Sequence, residues 1–137
     1  DLPHDVRVDR DDETLMTVRM PTGAPPPPPP GLVASVEVDG PRTTYRLDDD
    51  RRLAAEGTMA VIDGWVTFDA VETTPAYRRR GLGRHVMQVL SSRATDAGAG
   101  QGVLAASAEG RTLYTSLGWT VERELLSIMG AVTPRER

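Results

Sequence analysis

The chain of 137 residues is long enough for one domain with a single hydrophobic core, and its formal net charge of -4 argues against a general nucleic-acid binder. It contains no cysteine, which excludes a disulfide scaffold, a thiolate metal site and cysteine nucleophilic catalysis. No apolar run approaches the roughly 20 residues that a membrane-spanning helix needs, and no export signal is visible. These features predict a cytoplasmic protein that does not bind a membrane.

Residues 1–30 form an acidic and proline-rich N-terminal segment that predicts little packed structure. Six acids occur among the first thirteen residues, and six consecutive prolines, Pro25–Pro30, follow later. Because proline lacks a backbone donor and fixes φ, the run predicts an extended polyproline segment or linker, and a ligand for a proline-recognition domain is the weaker alternative. Only Leu15–Met20 has the pattern of a strand. The start at Asp1 suggests a fragment of a longer protein.

From residue 31 onward the sequence predicts four antiparallel strands. Leu32–Val38 alternates apolar and polar residues at the strand period of two, and Thr43–Leu47 alternates again after a turn, which predicts one hairpin. The stretches Gly57–Ile62 and Trp65–Thr73 flank the dipeptide at 63–64, Asp-Gly, which supplies positive φ in tight turns. They predict a second hairpin.

Two helices are predicted late in the chain. The first begins near Gly81 and carries apolar residues on one face at helical spacing. The glycine-rich stretch 97–102 ends it, and a short strand, Gly102–Ala106, and a short helix, Glu109–Leu117, follow. Residues 119–132 would supply one or two final strands. Together these strands and helices predict an α/β fold of the α+β type, with a mixed, mostly antiparallel sheet in one domain at 31–137.

The segment Val71–Val86, VETTPAYRRRGLGRHV, carries the clearest chemical signal, because it predicts a strand, a tight turn and a helix start in succession. Free backbone N–H groups at a helix start bind phosphate oxygens, and glycine at 81 and 83 lets a diphosphate approach the backbone. Four arginines add donors: Arg78, Arg79, Arg80 and Arg84. A solvated arginine run that only caps a helix is the alternative. A dinucleotide fingerprint is disfavoured, because valine at 86 replaces its third glycine.

The stretch Arg78–Gly83 matches R/Q-x-x-G-x-G/A, the cofactor motif of the GNAT superfamily of acyl-CoA N-acyltransferases. Thr73–Pro75 resembles the V-x-P strand ending of that family. Leu113–Trp119 matches a later pattern, A-x-x-L-Y-x-x-L-G-F/W, with Gly110 in the alanine place. The chain thus resembles the family over about residues 57–130, and the resemblance implies the C-terminal portion of a larger GNAT protein.

The resemblance implies that the fourth and fifth strands of the family fold, here Trp65–Thr73 and Val103–Ala106, splay apart and hold the pantetheine arm of acyl-CoA. The diphosphate would bind N–H groups at about 79–84, and the thioester carbonyl would lie near the N–H of Thr73. Ser107 stands where many members have asparagine. The implied cofactor-binding residues are Val71, Thr73, Arg78, Arg79, Arg80, Gly81, Leu82, Gly83, Arg84 and Ser107.

Tyr114 occupies the general-acid position of the family, from which a phenol can protonate the departing thiolate. The alternative is an aromatic side chain packed under the sheet. The base stays open between Asp69, Glu72, His85 and solvent, because each of these side chains could instead have an ordinary structural role. No metal site is predicted, since the two histidines are far apart in sequence.

The resemblance implies an enzyme that transfers an acetyl group from acetyl-CoA to a primary amine by direct attack. The acceptor would be an amine-bearing small molecule or peptide, not a nucleic acid, and a homodimer is compatible with the sequence. A non-catalytic acyl-CoA sensor is the alternative, because the first strand of the family and the two helices that wall its acceptor pocket are not recognisable.

Overall fold

A seven-stranded sheet organises residues 13–122, the part of the chain that the computed structural model describes. The strands are β1 (Thr14–Arg19), β2 (Val33–Asp39), β3 (Arg42–Asp49), β4 (Arg52–Ile62), β5 (Trp65–Thr73), β6 (Gln101–Ala106) and β7 (Thr120–Val121). The helices are α1 (Leu82–Asp96) and α2 (Ala108–Ser116), and a 3₁₀ turn spans Pro75–Tyr77. The spatial order of the strands is β2-β3-β4-β5-β6-β1-β7, and only β5 and β6 pair in parallel. The predicted α+β class with a mostly antiparallel sheet and two late helices is confirmed.

The predicted hairpins are present, and the second has the expected turn. Asp63 and Gly64 have φ of 52° and 83°, the left-handed values that a two-residue turn of type I′ requires at both central positions. β4 begins at Arg52, earlier than the predicted start at Gly57, and pairs with β3 as well as β5. The four strands β2 to β5 therefore form one continuous meander.

The main core lies between α1 and the sheet. Val86 and Leu90 of α1 are fully buried, and they lie directly over Gly57 of β4. A Cβ added at Gly57 would lie 2.8 Å from Val86 Cγ1 and 3.2 Å from Leu90 Cδ1. Because glycine has no side chain, residue 57 therefore allows α1 to lie this close to the sheet. Neither helix of the described chain is long and apolar enough to cross a bilayer.

β1 lies inside the sheet, between β6 and β7. Its Leu15 and Met16 are fully buried, so this strand belongs to the packed domain. The boundary predicted between residues 30 and 31 therefore does not separate β1 from the rest of the sheet. Of the final strands predicted at 119–132, β7 is present, and positions 123–132 lie outside the described residues.

The connection from β1 to β2 contains the proline run and no helix. At its start, the N–H of Met20 donates to the carbonyl of Gly100 at 2.9 Å. Thr95 Oγ1 then donates to the carbonyl of Pro21 at 3.1 Å, and Ser92 Oγ donates to the carbonyl of Gly23 at 3.2 Å. The connection is thus fixed to the C-terminal half of α1 before the prolines begin.

Candidate functional site

β5 and β6 pair only over their first three residues and then separate. The parallel register runs from Trp65 opposite Gln101 to Thr67 opposite Val103. Beyond it, β5 stays paired with β4, whereas β6 stays paired with β1. A gap therefore opens between the C-terminal halves of the two strands, at the place where the splay was predicted.

A β-bulge in β5 accompanies this separation. Asp69 lies opposite Thr58 and Glu72 lies opposite Glu56, so β5 uses one residue more than β4 between these pairs. Ala70 has the left-handed φ of 52°. Bulges bend a strand and increase its twist, which turns the end of β5 away from β6. Alanine has no preference for this conformation, so no sequence signal marks the bulge.

The backbone of Thr73 faces the gap. The N–H of Thr74 donates to the carbonyl of Ala54 at 2.9 Å, so the N–H of Thr74 is directed toward β4. Hydrogen-bonding direction alternates along a regular antiparallel strand, so the N–H and carbonyl of Thr73 point away from β4. Val71 lies within the bulge, between Asp69 and Glu72. Arg78 Nε donates to this carbonyl of Thr73 at 3.1 Å. The N–H of Thr73 is thus directed toward the space between β5 and β6.

The start of α1 is uncapped. Its first intrahelical bond runs from the N–H of His85 to the carbonyl of Gly81 at 3.0 Å, so the N–H groups of Leu82, Gly83 and Arg84 have no intrahelical partner. No side chain caps the helix, and its first turn has no acidic residue. Gly81 has a φ of 74°, and a Cβ added there would meet nothing within 4 Å. The positive end of the helix dipole is therefore accessible.

Three of the predicted arginines lie just before this helix start. Arg78 contacts the carbonyl of Thr73, as described above. The guanidinium of Arg80 lies 5.2 Å from the centre of the Tyr77 ring. Arg79 has a left-handed φ of 68°, and within residues 13–122 its side chain forms no hydrogen bond, ion pair or ring contact. In the same part of the chain none of the three forms an ion pair with a carboxylate, so their positive charge is not neutralised locally.

The start of α1 meets α2 at the edge of the gap. A Cβ added at Gly83 would lie 3.3 Å from Leu113 Cδ2 and 3.8 Å from Thr73 Oγ1. Arg84 donates to Ser116 Oγ at 2.9 Å and thereby links the two helices. The structure thus brings the end of β5, the start of α1 and one face of α2 together. The contact of Arg84 with α2 carried no signal in the sequence.

α2 places Tyr114 beside Trp119, with ring centres 6.1 Å apart. Burial raises the pKa of the Tyr114 hydroxyl above its ordinary value. Gly110, one turn earlier, leaves room for this ring, because an added Cβ would lie 3.2 Å from Tyr114 Cε2. Ser107 Oγ accepts a hydrogen bond from the N–H of Gly110 at 3.0 Å, so its hydroxyl caps α2.

The three candidate bases do not come together. Asp69 and Glu72 lie on the sheet face opposite to α1, and Asp69 pairs with Arg42 at 3.3 Å. His85 is on the α1 side and only 7% exposed, with its Nε2 atom 2.8 Å from the hydroxyl of Tyr45. Burial lowers the pKa of His85. This histidine is therefore part of the core contact between α1 and β3.

Three solved structures that are described as acetyltransferases have a similar fold. The chain is similar to a GCN5-related N-acetyltransferase from Kribbella flavida, with a TM-score of 0.63 and 19% identity over 80% of this chain and 54% of that one. It is similar to a GNAT-family acetyltransferase from Novosphingobium aromaticivorans, with a TM-score of 0.63 and 24% identity over 88% and 65% of the two chains. An acetyltransferase with acetyl-CoA from Clostridium acetobutylicum gives a TM-score of 0.59 and 19% identity over 61% of each chain.

The chain therefore has the GNAT fold, that of the acyl-CoA N-acyltransferases, and the resemblance noted in the sequence is confirmed at the level of the fold. It spans less than two thirds of the length of each of these three structures. No protein-family profile matches the sequence, and no curated protein matches it. That the chain is the C-terminal portion of a larger protein stays a prediction.

Proposed function

We propose that the protein is an acetyl-CoA-dependent N-acyltransferase that transfers an acetyl group to a primary amine of a small molecule or peptide. One observation carries this proposal: the gap between β5 and β6, with the backbone of Thr73 directed into it, leads to the uncapped start of α1. The structure from Clostridium acetobutylicum, which has this fold, is described with acetyl-CoA. The acceptor and every residue role below are part of the proposal.

The residues around the gap fit coenzyme A. The N–H groups of Val71 and Thr73 would bind the pantetheine arm as a neighbouring strand would. The free N–H groups at 82–84 would bind the diphosphate, and the arginines at 78–80 would add charge-assisted donors. This fit rests on the open space above Gly81 and on the absence of an acidic residue from the first turn of α1. The hydroxyl of Ser107 already accepts the capping hydrogen bond of α2, so it would contact the cofactor in addition to this bond.

The chemistry proposed for these residues is direct transfer. The amine nitrogen attacks the thioester carbonyl carbon, and the N–H of Thr73 donates to the oxygen as negative charge develops there. The nitrogen releases its second proton to solvent and the C–S bond breaks, while the hydroxyl of Tyr114 gives its proton to the departing thiolate and recovers one from solvent. A tyrosine hydroxyl is protonated at neutral pH, and burial raises the pKa of Tyr114 further.

The base that takes the proton of the attacking ammonium is proposed to be Glu72 or Asp69, directly or through water. Both lie at or near the bulge of β5. His85 is not assigned this role, because its Nε2 atom is bonded to Tyr45 in the core. Substitution of the base, by Glu72→Gln or by Asp69→Asn, should raise the apparent pKa of the acidic limb of kcat/KM more than the other substitution does. If neither substitution changes the pH profile, the proton is taken by solvent.

Calorimetry with coenzyme A, followed by thiol release from acetyl-CoA over a panel of amines, tests the proposal. Binding with turnover on at least one amine supports the enzyme. Binding without turnover supports a non-catalytic acyl-CoA sensor, which is favoured by one observation: no helix lies between β1 and β2. Absence of binding at high ligand excess contradicts both functions.

Tyr114→Phe tests the general acid. We expect kcat to fall by about 100-fold or more, the usual contribution of a positioned acid, with unchanged affinity for coenzyme A. Tyr77→Phe is the matched control, because the hydroxyl of Tyr77 bonds Asp49 at 2.7 Å and has no part in the proposed chemistry. The rate of thiol release and calorimetry measure the two quantities. An unchanged kcat in Tyr114→Phe would remove the assignment.

A further inference from the structure

The proline run has a burial pattern with a period of three residues. Pro26 and Pro29 are half-buried, whereas the other four prolines are exposed: Pro25, Pro27, Pro28 and Pro30. A polyproline II helix has three residues per turn and therefore three ridges. The pattern shows one ridge against the domain and two ridges facing solvent.

Both ends of this polyproline segment, Pro25–Pro30, are fixed. On the N-terminal side, the carbonyls of Pro21 and Gly23 accept hydrogen bonds from Thr95 and Ser92 of α1. On the C-terminal side, the N–H of Leu32 donates to the carbonyl of Pro29 at 3.2 Å, and the side chain of Leu32 packs against the core. The segment is therefore held in one orientation before any partner arrives, which lowers the entropy cost of binding.

The two exposed ridges have the spacing that proline-recognition domains bind. Pro25 and Pro28 lie on one ridge, and Pro27 and Pro30 lie on the other, so each ridge is a P-x-x-P pair. Aromatic-lined grooves of SH3, WW and EVH1 domains receive such ridges of a polyproline II helix. Positions 20–32 contain no charged residue, so nothing in the segment would pair with an acidic or basic specificity pocket.

We propose that the polyproline segment is a ligand for a protein domain with an uncharged, aromatic-lined groove, and that its two exposed ridges enter this groove while the third stays on the domain. The proposed surface does not include the gap between β5 and β6. It is therefore independent of the proposed acyl transfer.

Isotope-labelled WW and EVH1 domains, titrated with the whole chain and followed by NMR, test this proposal. We expect saturable shifts that are confined to the aromatic groove of at least one domain. Pro27→Ala with Pro28→Ala changes both exposed ridges and should weaken binding about tenfold, whereas Pro41→Ala, in the exposed turn after β2, should leave affinity unchanged. Circular dichroism melting verifies that all variants are folded.

Three results would overturn the proposal. The first is the absence of saturable shifts with either domain. The second is a loss of affinity in Pro26→Ala with Pro29→Ala that equals the loss in the exposed pair, because the buried ridge would then enter the groove. The third is binding by a peptide of residues 20–32 but not by the whole chain, because the exposed ridges would then be inaccessible.

Discussion

Arg79 has a left-handed backbone, and no hydrogen bond or ion pair of its side chain with residues 13–122 compensates for it. Its φ is 68°, and its side chain has no hydrogen-bond, ion-pair or ring partner among residues 13–122. The left-handed conformation costs a residue with a Cβ roughly 1 kcal/mol, and glycine avoids most of this cost. Strain of this kind at the start of α1 is expected where a side chain acts on a ligand rather than on the fold.

Arg79→Gly should therefore stabilise the ligand-free chain and weaken its binding to coenzyme A. We expect a gain of about 0.5–1 kcal/mol in the free energy of unfolding, measured in urea, because relief of strain exceeds the added entropy of the unfolded chain. Affinity for coenzyme A should fall by about tenfold with the loss of one charge-assisted contact. Asp50→Gly is the control, because Asp50 also has a left-handed φ, 60°, but lies in the turn before β4 and not at the start of α1. Equal affinity of Arg79→Gly and the parent chain would exclude Arg79 from the site.

At the scale of the elements, the contact between α1 and β4 depends on Gly57. Gly57→Ala would place a Cβ 2.8 Å from Val86 Cγ1, a stiff side chain that cannot move without shifting α1. We expect a loss of about 1–3 kcal/mol in the free energy of unfolding, as for overpacking in other cores. Urea denaturation measures this change.

Two further variants define the cause of that loss. Gly100→Ala adds a Cβ in open space at a residue without left-handed φ, so it should leave stability unchanged. Val86→Ala should recover part of the stability when combined with Gly57→Ala, since it removes the clashing methyl groups. Additive effects of the two substitutions would show that the clash does not cause the loss.

Local patterns predicted the elements that depend on nearby residues. The hairpin turning at Asp63 and Gly64 follows from an alternating pattern and a dipeptide with known turn geometry. α1 follows from its helical apolar period and the glycines that flank it. The place of β1 could not be predicted, because it depends on pairing with β6, more than eighty residues later in the chain. The segment around Thr14–Arg19 carries no information about its partner.

The face of the sheet that a residue occupies was predictable only up to the bulge. Three positions separate Asp69 from Glu72, so a regular strand would direct them to opposite faces. The extra residue at Ala70 places both on the face away from α1. The gap between β5 and β6, by contrast, lies where the family resemblance placed it. The sequence thus located the candidate site but not the orientation of the acids near it.

At the scale of the whole molecule, β1 and β2 are consecutive in the chain but lie far apart in the sheet, with β3, β4, β5 and β6 between them. Five strand spacings correspond to about 24 Å. Six prolines in a polyproline II helix extend about 19 Å. The polyproline segment is therefore long and stiff enough to make most of this crossing, and it connects the two sides of the sheet without a helix.

The stability of the whole fold also depends on pH, because a buried titratable side chain joins two of its elements. His85 of α1 lies in hydrogen-bond contact with Tyr45 of β3. Burial lowers the pKa of His85 in the folded chain below its ordinary value of 6.5. Above that value His85 is neutral in both states and does not alter stability. Below it, the unfolded chain binds a proton that the folded chain resists, so stability falls with pH until the folded pKa is reached.

We therefore expect the free energy of unfolding to be lower at pH 5.5 than at pH 7.5, measured in urea, and His85→Gln to reduce this difference. Glutamine retains a polar group near Tyr45 but does not titrate in this range. The parent chain and His85→Gln contain the same carboxylates. The contribution of these carboxylates to the pH dependence of stability therefore cancels when one pH difference is subtracted from the other. A larger pH difference in the free energy of unfolding of His85→Gln would contradict this prediction. It would mean that the folded parent chain stabilises the protonated imidazole, whereas burial favours the neutral form.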